Sequence, residues 1–241
     1  QHKFEGHDCQ QIKKGTSSAE QLAVQFWVKS NKTGNYAFQV KDEDNIRSFT
    51  TTYTISSADT WEKKTIIIPA DTTGALDDDI NASLTFHFWL VAGSNSTSGS
   101  ASTSWYGNVP ANLAVGHNVN IADSTSNTWY MTGFQVEIGS VHTDFEHRSF
   151  QEEQQLCYRY FQHHLKTTDE GYTMCWRTAS DVQGGFQFFR EMRSTPTATL
   201  KGLNAHVMTG GGNVDMTGMT LGLGYSQPKL TAATVQFTAS S

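Results

Sequence analysis

LAVQFWVK, residues 22–29, decides the fold, because a large aliphatic or aromatic side chain recurs at every second residue from Leu22 to Val28. In an extended chain the apolar members share one face, and they are Leu22, Val24, Phe26 and Val28. The opposite face carries Gln25, Trp27 and Lys29. Successive side chains of a strand point to opposite faces of a sheet, so this alternation predicts a half-buried strand of an antiparallel sheet.

The same alternation recurs further along the chain. It is carried by Tyr36, Phe38 and Val40, and again by Leu84, Phe86, Phe88 and Leu90. A β-branched run at 66–68 stops at Pro69, and turn segments at 31–35 and 71–79 each contain a glycine. Strands at this spacing predict an all-β fold, a sandwich or jelly roll.

Residues 93–104 are almost entirely Ser, Thr, Gly, Asn and Ala. A segment with so little apolar surface to bury predicts a long exposed loop. The loop leads directly into the aromatic pair Trp105–Tyr106. Segments 118–121 and 129–138 are then predicted as the strands that close the fold.

One helix is predicted near residue 150. Ser149 and Glu152 form the S-x-x-E pattern of a capping box, and apolar residues at helical spacing follow. We expect the helix to run from about Phe150 to His163. The resulting organisation is a jelly-roll domain over residues 1–148, a connecting helix over 149–165, and a smaller β module over 166–241.

Composition and charge exclude several classes of protein. Ser and Thr exceed a fifth of the 241 residues, and only 17% are charged, which is typical of strands and turns rather than long helices. The formal net charge is −6 without a local Lys/Arg cluster, so we expect no nucleic-acid partner. No apolar run reaches the roughly 18 residues of a spanning helix, so we expect no membrane insertion. The chain begins with Gln rather than Met, and we expect a further segment upstream.

Cysteine usage points to free thiols. The three cysteines, Cys9, Cys157 and Cys175, are an odd and widely spaced set, which does not form a disulfide framework. We therefore predict buried free thiols, as in a protein that folds in a reducing cytoplasm and is used outside the cell.

The sequence contains no motif for nucleophilic, zinc-dependent or phosphate-binding chemistry. The acidic run Asp77–Asp79 could bind calcium, although a solvated turn is the preferred interpretation. Glu137 and Glu146 could form an acid–base pair, but we interpret them as ion-paired or turn-forming side chains. We therefore predict that the chain is not an enzyme.

The histidines do not form a metal motif either. His163 and His164 are adjacent, so on a helix their side chains would diverge by about 100°. His2, His7 and Cys9 lie near the start of the chain, where we expect disorder or the remnant of a tag, and exposed or paired histidines are the preferred interpretation. We predict no metal site and no cofactor.

Several segments resemble, in the same order, a recurring arrangement in bacteriophage tail fibre and related virion proteins. GFQVEIG at 133–139, TDFEHR at 143–148, Glu153, Leu156–Cys157 and Arg159–Tyr160 resemble that family's "QLEVG…TPFE-R…E…CQRYY" segment. FWVKS at 26–30, Trp61 with KT at 64–65, Trp105 with Gly107, and MR with PT at 192–197 resemble its other elements. Asp144 replaces the family's usual Pro, and Phe134 and Ile138 replace commoner Val residues.

The resemblance implies a jelly roll of the carbohydrate-binding-module type, then a helix, then a second β module. It also implies homotrimers on phage particles, with other virion proteins as neighbours and host-surface glycans as ligands. Such a protein is made in the host cytoplasm and acts extracellularly, at the virion surface.

Three alternatives stay open. The chain could be the glycan-binding module of a larger secreted protein, which an upstream catalytic domain would reveal. It could be a ligand-free head or adaptor protein, which would bind nothing on a glycan array. A depolymerising enzyme would need carboxylates clustered in a groove, and the sequence indicates none.

Trp105, Tyr106 and Asn108 are the predicted ligand-binding residues. Sugars stack their C–H faces on exposed aromatic rings, and neighbouring amides bond their hydroxyls. Loops at the ends of a sandwich are where binding groups usually lie. The competing interpretation is that Trp105 is a buried edge residue that closes the jelly roll.

Overall fold

The computed structural model describes residues 1–162 and 190–193 in full, and the backbone of six strands between residues 174 and 238. The chain divides into two compact units, Gln1–Glu146 and His147–Ser241. Each unit is described separately below.

The first unit is built from eight strands. They are β1 (His2–Glu5), β2 (Leu22–Ser30), β3 (Gly34–Asp42), β4 (Arg47–Ile55), β5 (Glu62–Ile68), β6 (Ala82–Phe88), β7 (Tyr106–Gly107) and β8 (Trp129–Ile138). One antiparallel sheet has the order β1-β6-β3-β4-β7, and the other has the order β5-β2-β8. The predicted all-β sandwich is confirmed, and five of the seven connections between successive strands cross from one sheet to the other, as in a jelly roll.

The alternation of β2 and β3 builds the core between the sheets. Their inward side chains are fully buried, namely Val24, Phe26, Val28, Tyr36, Phe38 and Val40. The Phe26 ring joins the two sheets, because its centroid lies 6.3 Å from that of Phe38 and 5.1 Å from that of Tyr53. Burial of one such ring contributes about 2–3 kcal/mol, which holds this side of β2 against the core. The alternate residues of β2 therefore point outward.

A β-bulge in β8 shapes the outer face of the smaller sheet. Gln25 pairs with Gln135 but Trp27 pairs with Thr132, so β8 contains one extra residue opposite Phe26. Gly133 lies in the bulge with a φ of +60°, which only glycine adopts without strain. Beyond the bulge, Phe134 and Val136 pack against the core. Ile138 ends the strand exposed at the rim.

Four buried or half-buried charges lie at one edge of the sandwich. The Lys14 ammonium is 2.6 Å from Asp42 Oδ2 and 3.0 Å from Asp71 Oδ2, and all three side chains are almost inaccessible to solvent. Lys14 also donates to the carbonyl oxygens of Thr73 and Gly74, at 2.8 and 3.0 Å. Arg47 Nε lies 2.8 Å from Asp71 Oδ2. Although burial raises it, hydrogen bonds from Arg47 and Lys14 hold the pKa of Asp71 below its ordinary value.

The segment at 93–104 is a loop, as predicted, but an anchored one. It contains helix α2 (Ser94–Thr97), whereas α1 (Gly6–Cys9) lies near the start of the chain. Gly99 N–H donates to Ala111 O at 2.9 Å, and Ala114 N–H donates to Ser96 O at 2.8 Å. Backbone hydrogen bonds hold the loop where apolar side chains are absent. The segment bonded to the loop contains a 3-10 turn at Pro110–Asn112.

The predicted strand at 118–121 is wrong. The segment runs beside β3 and makes one backbone bond to it, from Asn118 N–H to Asn35 O at 3.0 Å. Side chains take the other bonds: His117 Nδ1 accepts from Ala37 N–H at 3.1 Å, and Asn118 Oδ1 accepts from Asn35 N–H at 2.8 Å. Burial lowers the pKa of His117, whose Nε2 lies 2.6 Å from Val119 O. Since side chains take the bonds that a strand would make, no ladder forms, and a 3-10 turn begins at Ile121.

The start of the chain is ordered, contrary to the expectation. His2–Glu5 pairs antiparallel with β6, and a 3-10 turn at Gln10–Ile12 follows α1. Cys9 is buried as predicted. Burial, with the nearby carboxylates of Asp8 and Asp44, raises the pKa of the Cys9 thiol to about 12. Its thiolate is therefore absent at neutral pH.

The second unit begins with helix α3 (Phe150–Cys157). The predicted capping box is confirmed: Glu152 N–H donates to Ser149 Oγ at 3.3 Å, and Ser149 N–H donates to Glu152 Oε2 at 2.8 Å. The helix ends at Cys157 rather than near His163, because a turn follows at 158–160. Cys157 is exposed, so the prediction of a buried thiol is wrong there. His163, His164 and the side chain of Cys175 lie outside the described residues.

Six further strands belong to this unit. They are β9 (Met174–Trp176), β10 (Asp181–Gln187), β11 (Ala205–Thr209), β12 (Gly212–Met216), β13 (Thr220–Gly224) and β14 (Ala232–Thr238). β13-β14-β10-β9 form one antiparallel sheet, and β11 and β12 form a hairpin pair. Over the described part of the chain, no helix is long and apolar enough to cross a membrane.

Candidate functional site

Trp105 lies at the edge of the core. Its indole N–H donates to Pro69 O at 2.7 Å, and its ring centroid is 6.4 Å from that of Phe49. The Lys14 ammonium lies 5.3 Å from the Trp105 ring centroid. These contacts are those of a side chain that closes one edge of the sandwich. Sugar binding by Trp105 stays a prediction.

Tyr106 and Asn108 lie elsewhere, on the outer face of the five-stranded sheet. Tyr106 Oη is 2.6 Å from Thr50 Oγ1 and donates to Asn112 O at 2.9 Å, while Asn108 Oδ1 accepts from Ser48 Oγ at 2.8 Å. Consecutive side chains of an extended backbone point in opposite directions. The structure therefore separates Trp105 from the two residues that the sequence grouped with it.

A different group of aromatic side chains is exposed together on the outer face of the β5-β2-β8 sheet. We call these three rings, together with the lysine that contacts two of them, the aromatic platform, and its residues are Trp27, Lys29, Trp61 and Tyr130. The three rings are 41%, 42% and 50% exposed, in that order. Large rings are usually well buried, so a cluster of three on one sheet face indicates a contact surface.

Strand register builds the platform. β2 points Trp27 and Lys29 outward because Phe26 and Val28 point into the core. The β2–β8 register places Tyr130 opposite Lys29, and Trp61 directly precedes β5, which pairs with the other side of β2. The Lys29 ammonium consequently lies between two rings, 5.4 Å from the centroid of Trp61 and 5.2 Å from that of Tyr130.

The bulge at Gly133 lies beside Trp27, at the opposite end of the platform from Lys29. A Cβ atom at Gly133 would lie 3.3 Å from Trp27 Cδ1 and 3.7 Å from Phe145 Cδ2. A side chain at this position would therefore be strained in its backbone and crowded by the Trp27 ring. Phe145 lies over this glycine on the outer face. The positive φ and the contact with Trp27 explain why a glycine occupies position 133 in the GFQVEIG segment.

Residues 143–146 cover the remainder of this face and give the platform a boundary. Gln25, which the alternation points outward, is buried there and donates through Nε2 to Thr143 O at 2.7 Å. Glu137 Oε2 accepts from Thr143 N–H at 2.8 Å, and Glu137 Oε1 accepts from the Thr143 hydroxyl at 2.6 Å. These bonds hold the pKa of Glu137 below its ordinary value. Glu137 is thus an ionised anchor for the covering segment.

The acidic run has a turn-forming role. His7 Nδ1 lies 2.7 Å from Asp78 Oδ1, and Asp79 Oδ1 accepts from Asn81 N–H at 2.8 Å. In the described part of the chain, no group of three or more His, Cys, Asp or Glu side chains is placed to hold a metal ion.

Comparison with known proteins adds no relative. No family model, no curated protein and no solved structure matches this chain. The resemblance to phage virion proteins rests on the residues and their order.

Sequence reasoning identified Trp27 as outward-pointing but did not single it out as a binding residue. Trp61 entered only through the resemblance, and Tyr130 was not singled out. A tryptophan at the outward position of an alternating strand was the available signal, since that side of a strand is normally polar. The proximity of the three rings depends on strand register, which single-strand patterns do not contain.

Proposed function

We propose that this chain is a non-catalytic, glycan-binding structural protein of a phage virion, a tail fibre or another surface appendage that assembles as a homotrimer. The aromatic platform is the surface that contacts host glycans. The observation that carries the proposal is the exposure of Trp27, Trp61 and Tyr130 side by side on one sheet face.

The geometry suits a sugar ring. Pyranose rings present flat C–H faces that pack on aromatic rings, and hydroxyl groups at their edges form hydrogen bonds. Thr132 and Lys63, the register neighbours of Trp27, supply polar atoms beside the rings. Because strands hold these side chains, little conformational entropy is lost on binding. Trp105 is less suited, since its N–H and ring already make contacts within the protein.

Replacing Trp27 or Trp61 with Ala should weaken glycan binding at least tenfold, since each removes a stacking ring worth about 1.4 kcal/mol or more. The wild-type chain would first be screened on an array of bacterial surface polysaccharides, and calorimetry would then measure the variants. Val109→Ala is the control, because Val109 is an exposed apolar residue outside the platform. Variants that bind as tightly as wild type would remove the platform from the proposal. A wild-type chain that binds no glycan would favour the ligand-free structural alternative.

The homotrimer is supported by the resemblance and by the surface of α3. Phe150 is 79% exposed and Leu156 is 42% exposed, which leaves apolar surface that a symmetric interface could cover. Light scattering should return close to three times the 26.7 kDa of one chain. Leu156→Glu should lower that mass and Gln155→Glu should not. A monomer mass for the wild type at micromolar concentration would contradict the assembly.

A further inference from the structure

We infer that the aromatic platform selects anionic glycans, those that carry carboxylate groups such as uronic or sialic acids, and that Lys29 and Lys63 recognise the charge. The inference rests on the proposed function, because it assigns a substrate class to the same surface. It concerns the charge of the sugar rather than the presence of a sugar site.

The first argument is the pairing of the lysines. The chain carries a net charge of −6, and most lysines of the first unit lie against carboxylates. The pairs are Lys13–Glu20, Lys14–Asp42, Lys14–Asp71, Lys32–Asp123, Lys41–Glu43 and Lys64–Glu62. Among the described residues of the first unit, Lys3, Lys29 and Lys63 have no such partner, and of these Lys29 and Lys63 lie on the sheet face that carries the exposed rings. An acidic protein thus keeps two cations uncompensated beside its exposed rings.

The second argument is where these two cations lie. Lys29 Nζ is held between the rings of Trp61 and Tyr130 by cation–π contacts, so its position is defined without a carboxylate. Lys63 is exposed and is the register partner of Trp27 on the neighbouring strand. Neighbouring strands lie about 4.8 Å apart, which is close to the width of one sugar ring. A sugar stacked on Trp27 therefore has an ammonium group beside it.

The third argument concerns Glu137, the acidic residue of β8, which lies on the same sheet face as the rings. Glu137 pairs in register with Ala23, at the opposite end of β2 from Lys29, and both its carboxylate oxygens accept hydrogen bonds from Thr143. Its charge is thus placed under the covering segment, away from the rings. A carboxylated ligand on the platform would meet cations and aromatic faces, which favours it over a neutral ligand.

The test compares each charged polysaccharide with its own neutral form. Polygalacturonate, hyaluronate and polysialic acid would be titrated against the full chain, alongside samples of each whose carboxyl groups have been reduced to alcohols. We expect at least one charged form to bind tenfold or more tightly than its reduced counterpart. Raising the salt concentration should weaken the charged form alone.

Variants assign the preference to the two lysines. Lys29→Met combined with Lys63→Met keeps the unbranched apolar stems and should bring the charged form down to the affinity of the reduced form. Lys3→Met removes the same charge from the other sheet and should leave the preference intact. Trp27→Ala should weaken both forms.

Each outcome is decisive. Equal binding of charged and reduced forms would overturn the charge preference while leaving the proposed function intact. A double lysine variant that keeps the full preference would remove Lys29 and Lys63 from the inference. Failure of every probe in both forms would overturn the proposed function together with the inference. A double variant that changes the oligomer mass instead of binding would show that the platform faces another copy, and would also overturn it.

Discussion

Replacing Lys14 with Met should destabilise the first unit by about 3–5 kcal/mol, because removing one partner of a buried ion pair leaves an uncompensated buried charge. The Lys14 ammonium contacts Asp42 and Asp71, and both carboxylates are almost inaccessible to solvent. Met matches the length of the Lys stem, so the loss measures the charge rather than the packing. Urea unfolding followed by circular dichroism would measure the free energy of unfolding.

Two companion variants make the Lys14 result specific. Lys13→Met removes the neighbouring lysine, whose 3.4 Å contact with Glu20 is exposed, and should cost less than about 1 kcal/mol. Adding Asp42→Asn to Lys14→Met should recover part of the loss, because the uncompensated charge is then gone. A loss for Lys14→Met no larger than for Lys13→Met would contradict the structural role.

The same cluster sets a pH dependence with a defined sign. The folded state holds the pKa of Asp71 below its unfolded value, through Arg47 and Lys14 and despite burial. The unfolded state therefore binds the proton more readily. The contribution of Asp71 is fully present above the unfolded-state pKa of about 3.9 and is lost as the pH falls through the lower pKa of the folded state. In Lys14→Met the folded-state pKa of Asp71 should rise toward the unfolded value, so this acid-side loss should become smaller, which urea unfolding at a series of pH values would measure.

Replacing Trp105 with Ala should cost about 3 kcal/mol or more, because it removes a large ring from the edge of the core and the partner of a buried N–H···O bond. If the platform is the glycan site, glycan affinity of the folded variant should barely change. Thermal unfolding and calorimetry on the same samples would separate the two quantities. Trp105→Phe keeps a ring and loses the bond to Pro69 O, so it should cost only about 1 kcal/mol.

The opposite pattern for Trp105 would return it to the candidate site. Little change in stability together with a large fall in glycan affinity would mean that the indole serves the ligand rather than the fold. Unchanged stability with unchanged affinity would contradict both interpretations of this residue.

Local patterns predicted much of the first unit because burial on one side of a strand leaves a period of two in the sequence. Phe26 and Phe38 are inward where the alternation places them, and β5 ends at Ile68, directly before Pro69, as predicted. The prediction of a strand at 118–121 was wrong because the side chains of His117 and Asn118 bond β3 where a backbone ladder would form. The predicted end of α3 was wrong because apolar residues continue at helical spacing beyond Cys157, whereas the helix ends there.

The sequence by itself determined which residues of β2 and β3 point into the core and where α3 begins, since both depend on neighbours along the chain. Only the tertiary structure placed Lys29 between Trp61 and Tyr130, and Lys14 between Asp42 and Asp71. It also separated Trp105 from Tyr106, which adjacency in the sequence had joined. Which strands pair, and in which register, depends on how all inward side chains fill one shared core. No single strand carries that information.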